Sequence, residues 1–269
     1  MQALNNLPVG ARLKLREDGV QKQFFVADKS GIYGVTAITM MRRDIARTDG
    51  MNIYGQCACY HETRIDYYLK DHYPQLLDAD IRAALITVQP NTWGRITSGD
   101  SYYYQMALDK KVYIPSAYEL DGTTSVANRT DGPRLQIFAG PALDHLWEPV
   151  LESTGETIDW WTRTVYGSGT GSNGWQFFRK RKENDSSGNY VINSADSSAR
   201  LPENFRGIRP MFNLPYNLQV SDTVDSDGCY TYTSTAPTPG AIGLYVKQSG
   251  SWTQASGMYA KQSGSWNQA

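Results

Sequence analysis

The chain opens with residues that alternate between apolar and polar. "ARLKL" (11–15) steps from one to the other in turn, and "QFFVADK" (23–29) and "GVTAITM" (34–40) follow as denser apolar runs. A period of two suits strands with one buried face, and the Gly-containing "SGIYG" (30–34) supplies a turn between the second and third. The period then lengthens. In "HETRIDYYLKDHYP" (61–74), Ile65, Tyr68, Leu69 and His72 recur at helical spacing, which predicts an amphipathic helix ended by Pro74. "DADIRAALITV" (78–88) predicts a second helix, with Asp78 as N-cap and Ile81, Leu85 and Val88 facing inward.

After "QPNTWGRITSGD" (89–100) the pattern returns to strands. "SYYYQMAL" (101–108) and "KKVYIPSAYEL" (110–120) come first, the latter running into a turn at Asp121-Gly122. "PALDHLWEPVL" (141–151) is compatible with a short helix. "DWWTRTVYG", "GWQFFRKR", "GNYVINSA" and "GIRPMFNL" come next, joined by Gly/Ser/Asn-rich stretches. Two helices among many short strands make an α+β protein and not a βαβ alternation. "TSTAPTPGA" (233–241) has the polar, Pro-containing composition of a linker, and it divides a body (1–232) from a tail (242–269). The tail says one phrase twice: Lys247-Gln248-Ser249-Gly250-Ser251-Trp252 returns as Lys261-Gln262-Ser263-Gly264-Ser265-Trp266, fourteen residues on.

Composition narrows the function classes. With 40% hydrophobic and 20% charged residues the balance is that of a folded globular protein, and a net charge of −1 leaves no electrostatic footprint for nucleic acid or an anionic membrane. No signal-like sequence opens the chain and no apolar run reaches membrane-spanning length, so a soluble protein without a signal peptide is expected. The aromatic inventory is lopsided, with 18 Tyr and 7 Trp against 7 Phe. Tyr and Trp join a large apolar ring to a polar handle, which suits recognition surfaces as well as the edges of a loop-rich β core.

Motifs with catalytic or metal-binding chemistry are weak. Cys57, Cys59 and His61 alternate in "CACYH", and His72 on the next helix is a conceivable fourth ligand, but structural zinc sites favour Cys-x₂₋₄-Cys turns. Three cysteines make no disulfide framework. Asp222, Asp225 and Asp227 offer the carboxylates that calcium takes, and turn-forming Asp-Gly accounts for them equally. "GTGSNG" (169–174) fits a dinucleotide fingerprint in spacing, yet the next residues, "WQFFRKRKEN", are aromatic and then charged, unlike the opening of a helix. His145 stands next to Asp144, but no Ser or Cys stands in a nucleophile elbow. No catalytic residue, metal or cofactor is therefore assigned.

"WWTRT" (160–164) followed by "FRGIRPMFNL" (205–214) resembles a largely uncharacterised C-type-lectin-like domain family of Gram-positive bacteria, their phages and prophages, with its W-W-x-R-[ST] and G-I-R-P-x-[FL] strands. "NLPVGARLKL", "MMRRDIA", "TRIDYYLKDHYPQLLDADIRAALI" and "KKVYIPSAYEL" resemble its other segments in order, so the likeness covers roughly residues 6–216. It implies a C-type-lectin-like fold, shared with phage receptor-binding proteins and with formylglycine-generating enzymes. The enzymes' thiolate pair near the closing strand has no counterpart, because Cys229 stands alone in the second half. Within the motifs, alternation sends Trp160, Thr162 and Thr164 to one face and Trp161 and Arg163 to the other, one tryptophan anchoring the core and its neighbour covering an edge. Arg163 and Arg209 are expected to pair with buried acids or carbonyls, and Gly207 and Pro210 to bracket a bend.

The functional expectation is a non-enzymatic phage or prophage virion protein, in the tail or on the particle surface, acting in host-surface adhesion or decoration. A purely structural connector and an enzyme on the same fold are the alternatives. Ligand-binding candidates lie between the two motifs: Tyr166, Asn173, Trp175, Phe178, Arg179, Asn189, Tyr190 and Asn193. The tail repeats, through Tyr245, Trp252, Tyr259 and Trp266, are expected to dock on other virion subunits or on sister chains, since a lone hairpin is marginal in water. A host cell-surface glycan or protein is the expected ligand, with no nucleic acid and no membrane insertion.

Overall fold

The computed structural model describes residues 1–51, 60–94, 104–122, 130–140, 143–166, 174–180, 190–196, 205–232, 245–248, 251–254, 259–262 and 265–268. The chain forms two compact units, Met1–Tyr232 and Thr233–Ala269. In the first, the principal strands are β1 (Arg12–Glu17), β2 (Val20–Asp28), β3 (Ala37–Arg42), β4 (Arg47–Asp49), β5 (Asn91–Gly94), β6 (Tyr104–Ala107), β7 (Val112–Tyr113), β8 (Trp160–Tyr166), β9 (Gly174–Lys180), β10 (Tyr190–Asp196), β11 (Arg206–Ile208), β12 (Met211–Pro215) and β13 (Tyr230–Thr231). Helices are short: α1 (Arg64–Tyr67), α2 (Tyr73–Leu76), α3 (Ala79–Ala84), α4 (Ala117–Asp121) and α5 (Gln136–Ala139). The unit is α+β. Among the described residues no helix is long and apolar enough to cross a membrane.

Two sheets organise the unit. One has six strands in the order β13-β1-β2-β3-β12-β7; the other has five, in the order β10-β9-β8-β11-β4. Leu13 and Leu15 of β1 are buried on its inward face, as the alternation predicts, and Glu17 takes the third inward position. β3 is buried at all six positions because it lies between β2 and β12 with both faces covered. "GIRPMFNL" does not form one strand. Its first part is β11 in the five-stranded sheet and its second is β12 in the six-stranded sheet, so the chain crosses between sheets at Arg209-Pro210. Gly207 lies within β11 and not at a bend, and it is small because a Cβ there would fall 2.8 Å from Ile45.

The helices depart from the sequence pattern at several points. Pro74 does not end the first helix: α1 runs through a π turn (Tyr68–His72) into α2, where the proline sits in the first turn and needs no N–H partner. The wider π turn advances the buried row from Ile65 and Leu69 to Tyr73, leaving His72 exposed. α3 stops at Ala84, and the Asp78 side chain makes no capping bond, although Ile81, Leu85 and Val88 are buried as expected. "PSAYEL" holds helix α4 instead of a strand, with Gly122 as its left-handed C-cap, and the helix expected in 141–151 lies upstream as α5.

In the second unit, Tyr245–Gln248 pairs with Ser251–Gln254, and Tyr259–Gln262 with Ser265–Gln268. The two hairpins share one register: Tyr245 faces Gln254 as Tyr259 faces Gln268, and Lys247 faces Trp252 as Lys261 faces Trp266. Each therefore closes through two residues, and each tryptophan is the second residue of its returning strand.

Candidate functional site

β8 carries the first resemblance motif. Both of its tryptophans are buried, Trp160 at 0% and Trp161 at 1% exposure, so neither covers an edge. The Trp161 indole N–H donates to the Asp49 carbonyl (2.8 Å). Each ring lies under a guanidinium, Arg209 over Trp160 at 5.0 Å and Arg206 over Trp161 at 4.9 Å. Past Trp161 the ladder to β9 breaks. Trp161 pairs with Phe177, but the next pair is Val165 with Trp175, so Thr162-Arg163-Thr164 face a single residue of β9. Simple alternation cannot survive this bulge, which turns the three residues away to other partners. The Arg163 N–H donates to the Pro115 carbonyl, the Thr92 hydroxyl donates to the Arg163 carbonyl, and the Thr164 hydroxyl accepts from the Ala117 N–H.

The Arg163 side chain, 0% exposed, is satisfied throughout. Nη1 and Nη2 each donate to Glu119 at 2.7 Å, and further donations reach the carbonyls of Asn91, Ile114 and Asp131 and the hydroxyl of Tyr33. α4 holds Glu119 ready through a capping box: the Ser116 hydroxyl accepts from the Glu119 N–H, and the Glu119 carboxylate accepts from the Ser116 N–H. Tyr33 reaches the site from a left-handed backbone (φ 62°), an uncommon conformation for an aromatic residue. Gly132 is required where it stands, since a Cβ there would fall 2.7 Å from the Glu119 carboxylate. Burial raises the pKa of Glu119, and the Arg163 charge and hydrogen bonds pull it back. Burial opposes the Arg163 charge, but Glu119, Asp131 and Tyr113 together outweigh it and leave that pKa raised. Asp131 is also fully buried, neither of its carboxylate oxygens reaches hydrogen-bond geometry, and burial pushes it up to about 7 against the pull of the Thr164 hydroxyl and Arg163. With Arg163 and Glu119 closed to solvent, the pair's chemistry is to pin a strand.

From that pin the sheet runs outward through β9 to β10. Of the sequence-predicted ligand residues, the backbone register sets Tyr166 opposite Gly174, Trp175 opposite Val165 and Ala195, and Phe178 opposite Trp160 and Ile192. Arg179 lies opposite Val191, Tyr190 opposite Lys180, and Asn193 opposite Phe177. These positions thus share three adjacent strands. Asn173 and Asn189 lie outside the described residues, as does the linker 233–241. Sequence reasoning missed Glu119, Asp131 and Tyr33; the S-x-x-E spacing of Ser116 and Glu119 was the available signal for α4 and for a fixed carboxylate.

The other candidate chemistries are dispersed. Cys57 and Cys59 lie outside the described residues. The His61 imidazole is pushed down to about 3, first by burial and then by the Lys110 charge, while His72 stacks on Tyr68 on the exposed side of the π turn. Among the described residues no three His, Cys, Asp or Glu side chains are grouped to hold a metal. The Asp225 and Asp227 carboxylates hold the Lys14 ammonium (2.7 and 2.5 Å), and Asp222 pairs with the N-terminal ammonium. Gly174 of "GTGSNG" opens strand β9, not a helix. A second buried ion pair, Lys110 with Asp66 at 2.6 Å, ties β7's approach to α1. A family profile described as "Domain of unknown function (DUF6273)" matches residues 37–216, which run from the start of β3 to just past β12 and include both motif arginines. Searches of curated proteins and of solved structures found no match.

Proposed function

We propose that this chain, which belongs to the family described as domain of unknown function DUF6273, is a non-catalytic recognition protein with a C-type-lectin-like body, a reading drawn from the resemblance of its motifs. The observation that carries the reading is the contrast within one sheet. β8 is pinned to the body by buried, satisfied groups, and β9 and β10, which bear Trp175, Phe178, Arg179, Tyr190 and Asn193, continue outward from it. Recognition residues set beside a rigid scaffold bind with little loss of conformational entropy. Trp, Tyr, Arg and Asn are the residue types that supply such contacts. The resemblance of the two motifs to phage and prophage proteins gives the setting: a virion component that meets a glycan or protein of the host cell surface. The tail hairpins, through Tyr245, Trp252, Tyr259 and Trp266, are its attachment to other virion subunits or to sister chains.

Co-sedimentation of the full chain with intact Gram-positive cells tests this reading. The wild type is expected to pellet with cells of a susceptible strain, and Trp175→Ala and Tyr190→Ala to reduce the pelleted fraction without changing the thermal midpoint. Equal pelleting of wild type and both variants would move recognition away from β9 and β10.

A further inference from the structure

We propose that Arg43 and His145 form a binding site for an oxyanion, a carboxylate or phosphate group, which the Asp144 carboxylate fills in the free chain. The two basic side chains come from segments far apart in sequence, the end of β3 and the turn at 144–146, which are joined from below and from within. Below, Arg209 Nη2 donates to the carbonyls of both Arg43 (2.9 Å) and His145 (3.1 Å). Within, the buried Asp44 carboxylate accepts from both side chains: Oδ1 lies 2.7 Å from His145 Nδ1, and Oδ2 3.1 Å from Arg43 Nη1. The Val150 N–H completes the hold on Asp44 (3.2 Å).

With their inner nitrogens fixed, Arg43 and His145 direct the outer ones to a common point. Asp144 Oδ2 occupies it, 3.1 Å from Arg43 Nη2 and 3.5 Å from His145 Nε2. The Asp144 side chain is 83% exposed, against 16% for Arg43 and 24% for His145. A strongly exposed carboxylate therefore lies across an anchored guanidinium and an anchored imidazole, both partly covered. Exposed ion pairs are weak, so an incoming oxyanion displaces Asp144 at little cost and finds donors already oriented. A guanidinium beside an imidazole that donates through Nε2 when protonated suits the flat, two-oxygen edge of a carboxylate or phosphate. His145 holds this position from a left-handed backbone (φ 61°).

The chain has three histidines, so the imidazole resonances of the full-length protein can be followed separately by NMR. Sodium phosphate, sodium acetate and sodium chloride would be titrated in turn at a pH where the imidazole is protonated. His145 is identified by His145→Asn, which keeps a residue that tolerates the left-handed backbone. Saturable movement of the His145 resonance with phosphate or acetate, but not chloride, is expected, and the arm that saturates names the oxyanion class. Asp144→Asn should tighten that binding by roughly two- to fivefold, the limit set by an exposed pair. Arg43→Gln should weaken it by at least as much. If the resonance drifts alike with all three salts in both wild type and Asp144→Asn, the Asp144 contact is a surface ion pair and the proposal fails. Because Asp144 is exposed, its variant tests the site even where His145→Asn or Arg43→Gln disturbs folding.

Discussion

Arg163 and Arg209 are both withdrawn from water at 0% exposure, yet the protein holds them by opposite means. Arg163 meets a carboxylate in two-pronged geometry and adds carbonyls and a hydroxyl around it. Among the described residues Arg209 donates only to carbonyls, those of Arg42, Arg43, His145 and Leu146, with the faces of Trp160 and Phe25 beside it. Burial accordingly lowers the pKa of Arg209 to about 9, while the pKa of Arg163 is raised by its acid. The comparison separates two ways of using a buried cation. One neutralises an acid and locks a helix cap to a bulged strand; the other gathers the backbone of two segments at the point where the chain changes sheets.

The largest expected effect lies on the acid side. Arg163→Met leaves Glu119 buried without a counter-charge and should cost about 3–5 kcal/mol in urea unfolding. Adding Glu119→Leu should recover a large part of that loss, and a double variant no more stable than the single one would break the comparison. Arg209→Met orphans carbonyls and not a charge, so about 2–3 kcal/mol is expected from the same measurement, with no second-site acid change able to rescue it. Asp131→Asn should act in the other direction. The folded pKa of Asp131 is raised from 3.8 to about 7, so the native state binds the extra proton between those values and loses stability as pH rises through them. The substitution should therefore stabilise by on the order of 1–3 kcal/mol at pH above about 7, and the gain should fade as pH falls toward the unfolded value. Thermal midpoints across that range check it, and a gain that grows on acidification would contradict the sign. Ser116→Ala, which removes half of the capping box that aims Glu119, should cost about 1 kcal/mol.

The sequence carries these features unevenly. β1 is legible because a half-buried strand alternates, as Leu13 and Leu15 do, and β2 because its apolar run is buried from Phe24 onward. The helical segment from Arg64 is legible in kind but not in phase, because nothing in local propensity announces a π turn that exchanges His72 for Tyr73. α4 was open to reading through Ser116 and Glu119, but the β-branched and aromatic run before it argues for a longer strand. That Arg163 needs buried acceptors is dictated by its chemistry. That its acid is Glu119, 44 residues upstream, is not, since one sequence says nothing about which distant positions meet. The bulge was hidden for a related reason. Alternation assumes a continuous ladder, and the Thr162–Thr164 departure from β9 is dictated by partners on α4 and β5. Of the candidate binding residues, sequence supplied the residue types, and the shared strands depend on pairings over long separations.

The parallel pairing of Trp160 with Gly207 has a consequence for how the domain can vary. It brings the entrance and exit of the intervening excursion side by side, sealed by the Gly207 N–H on the Asp159 carbonyl (2.8 Å) and by buried rings on the entrance strand. Once two ends are fixed together, the entropic cost of the chain between them grows only logarithmically, by about 0.6 kcal/mol for each doubling of its length. The joint at Asp159–Trp160 and Gly207 thus fixes the two ends independently of the length of chain that runs between β8 and β11. A change of length between β8 and β11 therefore leaves this joint, and the register it sets, in place at little entropic cost.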